Sequence, residues 1–211
     1  MDLFALREDY KKAALSRATM TKDPSLQLRA WLEEAQSCKL LEPNAMTLAT
    51  VDPTGRPYTR TVLLKKFDAK GLIFFTNYES QKAQQIASNP NVSLLLNWLP
   101  LERQVSVNGM ASKISAAESL AYFATRPLGS RLGAWVSDQS RVIKSRSLLE
   151  AKLEEMKKKF SDGEIPMPSS WGGYRVEPES FEFWQGRQNR LHDRFLYQRD
   201  NDHWTLERLQ P

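Results

Sequence analysis

The sequence predicts a mainly β fold with helices, an antiparallel β-barrel of the α+β class. Short apolar runs of strand length recur between Gly, Pro, Asn and Asp turn signals. Stretches with helical spacing are interspersed among them without regular alternation, which disfavours a doubly wound parallel sheet. No internal repeat or low-complexity tract interrupts the pattern.

Residues 1–22 are polar and weakly periodic, and read as a partly helical arm or lid ahead of a single domain at 23–211. Asp23-Pro24-Ser25 opens a helix with Pro in its first turn. Leu28, Trp31, Leu32 and Ala35 recur at helical spacing along it. Met46–Val51 reads as a strand, and Asp52-Pro53-Thr54-Gly55 carries the residue preferences of a type I turn. Residues 56–67 return as one strand, Asp68–Gly71 turns again, and Leu72–Thr76 completes an antiparallel meander.

Ser80 is placed to cap a helix that ends at Asn89-Pro90. Val92–Trp98 and Gln104–Ser112 are further strands. Ser115 and Glu118 form a capping box for a helix running to Arg126, where Pro127 stops it. Leu149, Leu153, Met156 and Phe160 give one stripe of a helix over about 145–160. Strands are expected at 174–176, 180–184, 190–199 and 203–209, the last two joined by a turn at Asp200-Asn201-Asp202.

Composition narrows the function classes. No apolar run approaches the ~20 residues of a membrane span, and the first twelve residues hold no signal-peptide core. The single cysteine, Cys38, permits no internal disulfide, so a reducing, cytoplasmic setting is expected and Cys38 is read as a buried structural thiol. The net charge of +5 is dispersed, and its densest run, Lys157–Lys159, follows Glu154 and Glu155 at helix-pair spacing. Small anionic ligands account for this balance without nucleic acid. No dinucleotide or Walker glycine fingerprint, no zinc spacing and no nucleophile elbow is present.

Four segments suggest anion sites. With only two histidines in the chain, His192 lies between Arg190 and Arg194; on an extended strand the three share one face, opposite Leu191 and Phe195. Arg60–Lys65 is a strand with a cation at each end; in a regular strand they face opposite sides, and pattern alone equally allows a core strand with solvated ends. Thr76–Lys82 passes from strand to helix, where free N–H groups and Lys82 favour a phosphate, although Ser80 is sufficient there as a plain cap. Tyr122 and Arg126 share a helix face, with Ser130 just beyond; a guanidinium fork and two hydroxyls suit a phosphate.

These segments resemble the pyridoxine (pyridoxamine) 5′-phosphate oxidase family. The resemblance runs from Arg7–Tyr10 to Glu207–Pro211, and is most specific at Arg60–Lys65, Phe75-Thr76-Asn77, Leu101–Val105, Gly133–Ser137, Gln139-Ser140, Trp171-Gly172-Gly173 and Phe183–Arg194. It implies an FMN-binding split β-barrel working as a homodimer, with FMN at the subunit interface and each site drawing residues from both chains. It implies FMN contacts from Arg60, Thr61, Val62, Leu63, Leu64, Lys65, Phe75, Thr76, Lys82, Gln104, Gln139, Ser140, Trp184 and Arg194. Gln81 stands where the family often has arginine, so a neutral donor and weaker FMN retention are expected. The implied substrate phosphate contacts are Lys65, Tyr122, Arg126 and Ser130. Arg190, Leu191 and His192 are expected at the substrate ring, with Arg190 and His192 as the catalytic pair and no metal; Arg7 and Tyr10 match residues of a closing lid. The implied reaction oxidises pyridoxine 5′-phosphate or pyridoxamine 5′-phosphate to pyridoxal 5′-phosphate, moving hydride from C4′ to flavin N5 with O2 as final acceptor and H2O2 as product. Transfer of the product to apo-enzymes is a further implied partnership. The same barrel also suits a flavin or nicotinamide-dependent reductase, or a non-catalytic basic barrel that binds nucleic acid or stores pyridoxal phosphate.

Overall fold

The computed structural model describes residues 2–4, 9–161 and 163–211; Arg7 and Asp162 lie outside the described residues. Helix α1 (Pro24–Ser37) begins as the sequence dictates: the Asp23 carboxylate accepts the Ser25 N–H at 2.7 Å, and Leu28, Trp31 and Ala35 are buried. The strands β1 (Ala45–Val51) and β2 (Pro57–Leu63) form a hairpin over the Asp52 turn, where the Gly55 N–H donates to the Asp52 carbonyl at 2.9 Å. Then come β3 (Lys66–Asp68), β4 (Gly71–Asn77), α2 (Gln81–Ser88), β5 (Asn91–Trp98) and β6 (Arg103–Lys113). Three helices follow: α3 (Ala116–Thr125), α4 (Leu128–Val136) and α5 (Arg146–Lys159). The chain ends with β7 (Trp171–Gln185), β8 (Asp193–Asp200) and β9 (His203–Leu209).

The sheet is antiparallel throughout, in the order β2-β1-β5-β6-β7-β4-β3, with β8 also on β7 and β9 on β8. The expected single strand over 56–67 is therefore two strands at opposite ends of this order, and β4 pairs with β3 and β7 rather than β2. Only Leu64 and Lys65 separate them. The Leu64 N–H donates to the Asn44 carbonyl at 2.8 Å, and the Lys65 N–H donates to the Ile73 carbonyl at 2.9 Å. A two-residue link can join the two ends of a seven-strand path only if the sheet curls round on itself, so these two bonds close the barrel. Leu48, Leu72, Phe74, Leu94, Val107, Phe181, Phe183 and Tyr197 fill its interior.

The expected strands 174–176 and 180–184 are one strand, β7, which runs through Pro178. Proline cannot donate to a ladder. It is tolerated here because the register with β6 slips at Asn108/Gly109, and because the other edge of β7 changes partner from β4 (Trp171–Val176) to β8 (Ser180–Gln185). Gly109 is required at the slip, since an added Cβ would lie 2.0 Å from the Glu177 carbonyl oxygen.

Three other expectations change. Cys38 is exposed, because α1 ends at Ser37 and the chain turns away from the stripe that buries Ala35. Helix α4, with Leu132 and Val136 buried, forms in a short, glycine-containing segment where no helix was expected. The strand expected over 190–199 starts only at Asp193: Gln188–Arg190 is a 3-10 turn, with Asn189 and Arg190 at φ 56° and 62°. The single cationic row of Arg190, His192 and Arg194 therefore does not form.

Of the N-terminal arm, Leu15 is buried, and Arg17–Thr19 form one 3-10 turn. The arm crosses the opposite end of the barrel from α3 and α4: the Lys12 N–H donates to the Glu102 carboxylate at 3.0 Å, and the Leu15 N–H to the Asp193 carboxylate at 3.0 Å.

Candidate functional site

The first cluster of site residues forms where β4 passes into α2. Ser80 is the N-cap residue of α2, but its hydroxyl accepts from the Lys82 ammonium at 3.4 Å rather than from the helix backbone. Lys82 also donates to Thr76 Oγ1 at 3.2 Å and to Gln139 Oε1 at 2.8 Å, while the Thr76 hydroxyl donates to the same Gln139 oxygen at 2.9 Å. From β2, the Arg60 guanidinium donates to the Leu48 carbonyl at 3.1 Å, the Thr50 hydroxyl at 2.5 Å and Gln85 Oε1 at 3.1 Å. Burial, and next the charge of Arg60, lowers the Lys82 ammonium to about 8. Two cations desolvated together, with only neutral acceptors around them among the described residues, are suited to an anion.

Beside it lies a cleft of about 280 Å³ whose lining includes Phe75, Thr76, Arg126, Ser130, Gln139 and Trp171. The rings of Tyr122, Phe75 and Trp171 stack, Phe75 being 4.1 Å from Tyr122 and 5.2 Å from Trp171. Arg126 is the C-cap of α3 in extended conformation, so it leaves the Tyr122 helix face. Its guanidinium lies over the Trp171 ring at 4.6 Å. Nη1 of Arg126 is buried and has no hydrogen-bond partner among the described residues. Burial pushes the Arg126 guanidinium below its usual range, with Tyr122 opposing. A second hollow of about 300 Å³, lined by Lys65, Tyr122 and Glu118 among others, shares the Phe75 ring with the first. Lys65 thus reaches the same aromatic wall as Tyr122.

Within the Arg60–Lys65 segment, Val62 and Leu64 are core side chains, 8% and 7% exposed, so only their backbone is available to a ligand. Thr61 is exposed and Leu63 half-buried. Gln81 is exposed at the first position of α2, and Ser140 is exposed with φ 74°.

The second cluster lies at the other end of β7. Gln104, Trp184 and Arg194 stand directly opposite one another on β6, β7 and β8, and so form one row on one face of the sheet. Arg194 Nε donates to the Glu182 carboxylate at 2.7 Å, which raises the guanidinium above its usual value. The His192 ring packs 4.6 Å from Trp184, and Tyr10 of the arm stands 5.8 Å from both rings. His192 Nδ1 accepts the Arg187 N–H at 3.1 Å, so a neutral ring carries its proton on Nε2. Burial, then the Arg190 charge, lowers the His192 pKa. Arg190 and Leu191 are exposed in the turn that precedes β8.

The structure thus gathers Arg60, Phe75, Thr76, Lys82, Tyr122, Arg126, Ser130 and Gln139 into one region and Tyr10, Gln104, Trp184, Arg190, His192 and Arg194 into another. Sequence reasoning missed Trp171, Gln85, Glu182, Arg187 and Asp193 as partners of these groups. Trp171 carried a signal in the two glycines that follow it. The others became visible only once strand pairing placed them beside an arginine or histidine.

A curled antiparallel sheet with its ends joined by a two-residue link, and with cation-lined hollows outside it, defines a split-barrel protein. A family model described as pyridoxamine 5′-phosphate oxidase matches residues 32–160, and one described as the pyridoxine 5′-phosphate oxidase C-terminal dimerisation region matches residues 171–211. The chain belongs to the pyridoxamine 5′-phosphate oxidase family. It is 60% identical, over the full length of both chains, to the pyridoxine/pyridoxamine 5′-phosphate oxidase of Rippkaea orientalis. It is 53% identical to that of Escherichia fergusonii, covering 98% of this chain and 94% of the relative. The crystal structure of PhzG from Burkholderia lata, in complex with tetrahydrophenazine-1-carboxylic acid, superposes with a TM-score of 0.88 at 30% identity, covering 94% of this chain and 98% of PhzG. A pyridoxamine 5′-phosphate oxidase-related, FMN binding protein from Nostoc punctiforme shares the fold at a TM-score of 0.72 and 22% identity, over 91% of this chain and 100% of that one. Among the described residues no helix is long and apolar enough to cross a membrane, and no group of three or more His, Cys, Asp or Glu is placed to hold a metal.

Proposed function

We propose that this protein oxidises pyridoxine 5′-phosphate and pyridoxamine 5′-phosphate to pyridoxal 5′-phosphate with FMN as cofactor and O2 as acceptor, as a homodimer with FMN between the subunits. Family membership supports the activity. The observation that carries the site is the buried Nη1 of Arg126, which has no hydrogen-bond partner among the described residues and is held over Trp171 in a cleft that Ser130 also lines. A buried guanidinium donor without a partner is costly, and a phosphate oxygen removes that cost.

Bound FMN supplies acceptance of two electrons from the substrate C4′ carbon and their delivery to oxygen. Arg60 and Lys82 hold its phosphate, with Gln81 as a further neutral donor, Thr76 and Gln139 completing the cradle and Ser140 beside it. The backbone of 61–64 and the ring of Phe75 border it. Gln104, Trp184 and Arg194 of the partner subunit complete the pocket. Lys65, Tyr122, Arg126 and Ser130 clamp the substrate phosphate, which fixes the ring and so the position of C4′. Arg190 of the partner subunit stabilises negative charge at the pyridine hydroxyl. With Nδ1 occupied by the Arg187 N–H, the partner's His192 presents Nε2–H to the reacting substituent. Tyr10 closes the arm over the substrate and excludes water.

Purified protein should show a flavin spectrum that bleaches anaerobically on adding pyridoxamine 5′-phosphate and recovers in air with release of peroxide. A protein that takes up no FMN, or a flavin unchanged by either substrate, contradicts the proposal.

A further inference from the structure

Resting on that reading, we propose that Asp193 is a positioning residue that latches the N-terminal arm to the turn carrying Arg190 and His192. Asp193 is only 5% exposed, yet it is a carboxylate shared by three distant parts of the chain. One oxygen accepts the Leu15 N–H at 3.0 Å and Arg187 Nη1 at 3.0 Å; the other is paired with Arg208 from the terminal strand β9. Arg208 is itself laid over the Phe195 ring at 5.3 Å. Each cation is only partly buried, so the carboxylate is the fixed point and the arginines converge on it.

The arrangement sets two things at once. Through Leu15 it anchors the arm five residues beyond Tyr10, whose ring meets Trp184 and His192. Through Arg187 it fixes the residue whose backbone N–H occupies His192 Nδ1 at 3.1 Å, and so both the ring's tautomer and its tilt against Trp184. The close fit of the arm is visible at Gly186, where an added Cβ would lie 2.7 Å from Tyr10 Cγ. Asp193 touches neither ligand in this account; it acts through Arg187 and Leu15.

The test uses Asp193→Asn, which keeps the shape and removes the charge, together with Arg187→Gln, which leaves Asp193 paired with Arg208. Tryptic cleavage after Lys12 or Arg17, followed by mass spectrometry, should accelerate at least severalfold in Asp193→Asn. That readout needs no substrate, so it tests the latch even if the wild-type protein shows no oxidase activity. In the loaded enzyme, turnover should fall roughly tenfold in Asp193→Asn and in Arg187→Gln with wild-type flavin content. Combining Asp193→Asn with Arg187→Gln should cost no more than about twofold beyond Asp193→Asn alone, because both break the same linkage to His192. Should Asp193→Asn fail to fold, Arg187→Gln alone still reads the loss of turnover at wild-type flavin content. Wild-type arm cleavage, wild-type turnover, or losses that simply multiply in the double variant would each overturn the latch.

Discussion

Trp171 and Trp184 stand at the two ends of one strand, β7, and each is the wall of a different cluster of cationic and aromatic side chains. Thirteen steps along an extended chain span roughly 40 Å, less where the strand coils. Arg126 and the Arg190/His192 turn therefore lie too far apart to face one small molecule within a single chain. The family's C-terminal dimerisation region, matched at 171–211, contains the second cluster, which supports two half-sites brought together by two copies.

Arg126→Ala removes a guanidinium whose Nη1 has no partner among the described residues. A charge-assisted hydrogen bond is worth about 1.5–3 kcal/mol, so KM for pyridoxine 5′-phosphate should rise about 10- to 100-fold while kcat changes little. Steady-state kinetics with an unchanged KM would remove Arg126 from the clamp.

Arg190→Ala should behave in the opposite way. Arg190 lies exposed in the turn before β8 and makes no fold-defining ion pair among the described residues. Its loss should lower kcat at least tenfold, with flavin content at the wild-type level. Wild-type turnover would remove it from the mechanism.

Lys82 gives a pH dependence with a definite sign. Its folded-state pKa is lowered from 10.5 to about 8, so without ligand the stability contribution of this group is present above 10.5 and is lost as pH falls through about 8. A bound phosphate favours the ammonium, so binding takes up a proton in that window. FMN affinity for the apo-protein should therefore fall above pH 8, by at most about tenfold per pH unit, and Lys82→Met should flatten the curve. Fluorescence titration of FMN between pH 7 and 10 measures this; a flat wild-type curve would show that Lys82 does not contact the phosphate.

Gln81 is exposed at the first position of α2, one residue from Lys82. Gln81→Arg should slow FMN loss on dialysis by about two- to fivefold at low salt, with the gain shrinking as salt is added. Equal retention in both proteins would mean that position 81 does not reach the cofactor.

What the sequence made legible was local. The Asp23 cap, the Asp52–Gly55 turn and the Ser115/Glu118 box depend on residues within four positions, and each formed as expected. Local pattern singled out Arg60, Lys65, Lys82, Tyr122, Arg126, Ser130, Arg190, His192 and Arg194 as candidates, but the other candidate residues came only with the family resemblance, because pairings between distant strands bring them together. The gap expected between the strands at 174–176 and 180–184 holds Pro178, and a register slip and a change of partner carry one strand through it. The alternation put Arg190, His192 and Arg194 on one face and Asp193 on the other between Leu191 and Phe195, but a 3-10 turn at Gln188–Arg190 breaks it, and the strand starts only at Asp193, whose three partners lie in distant segments. Leu64-Lys65 read as mid-strand because barrel closure leaves no compositional mark.

The half-site account is tested most directly by a heterodimer. Co-expressed under separate tags, chains bearing Arg126→Ala and Arg190→Ala form dimers in which one site carries both defects and the other carries neither. Assayed at low substrate, the purified heterodimer should recover about half the wild-type activity per dimer, far above either homodimeric variant. Activity no higher than the mean of the two homodimers would show that Arg126 and Arg190 serve the same site from one chain, and would contradict the account.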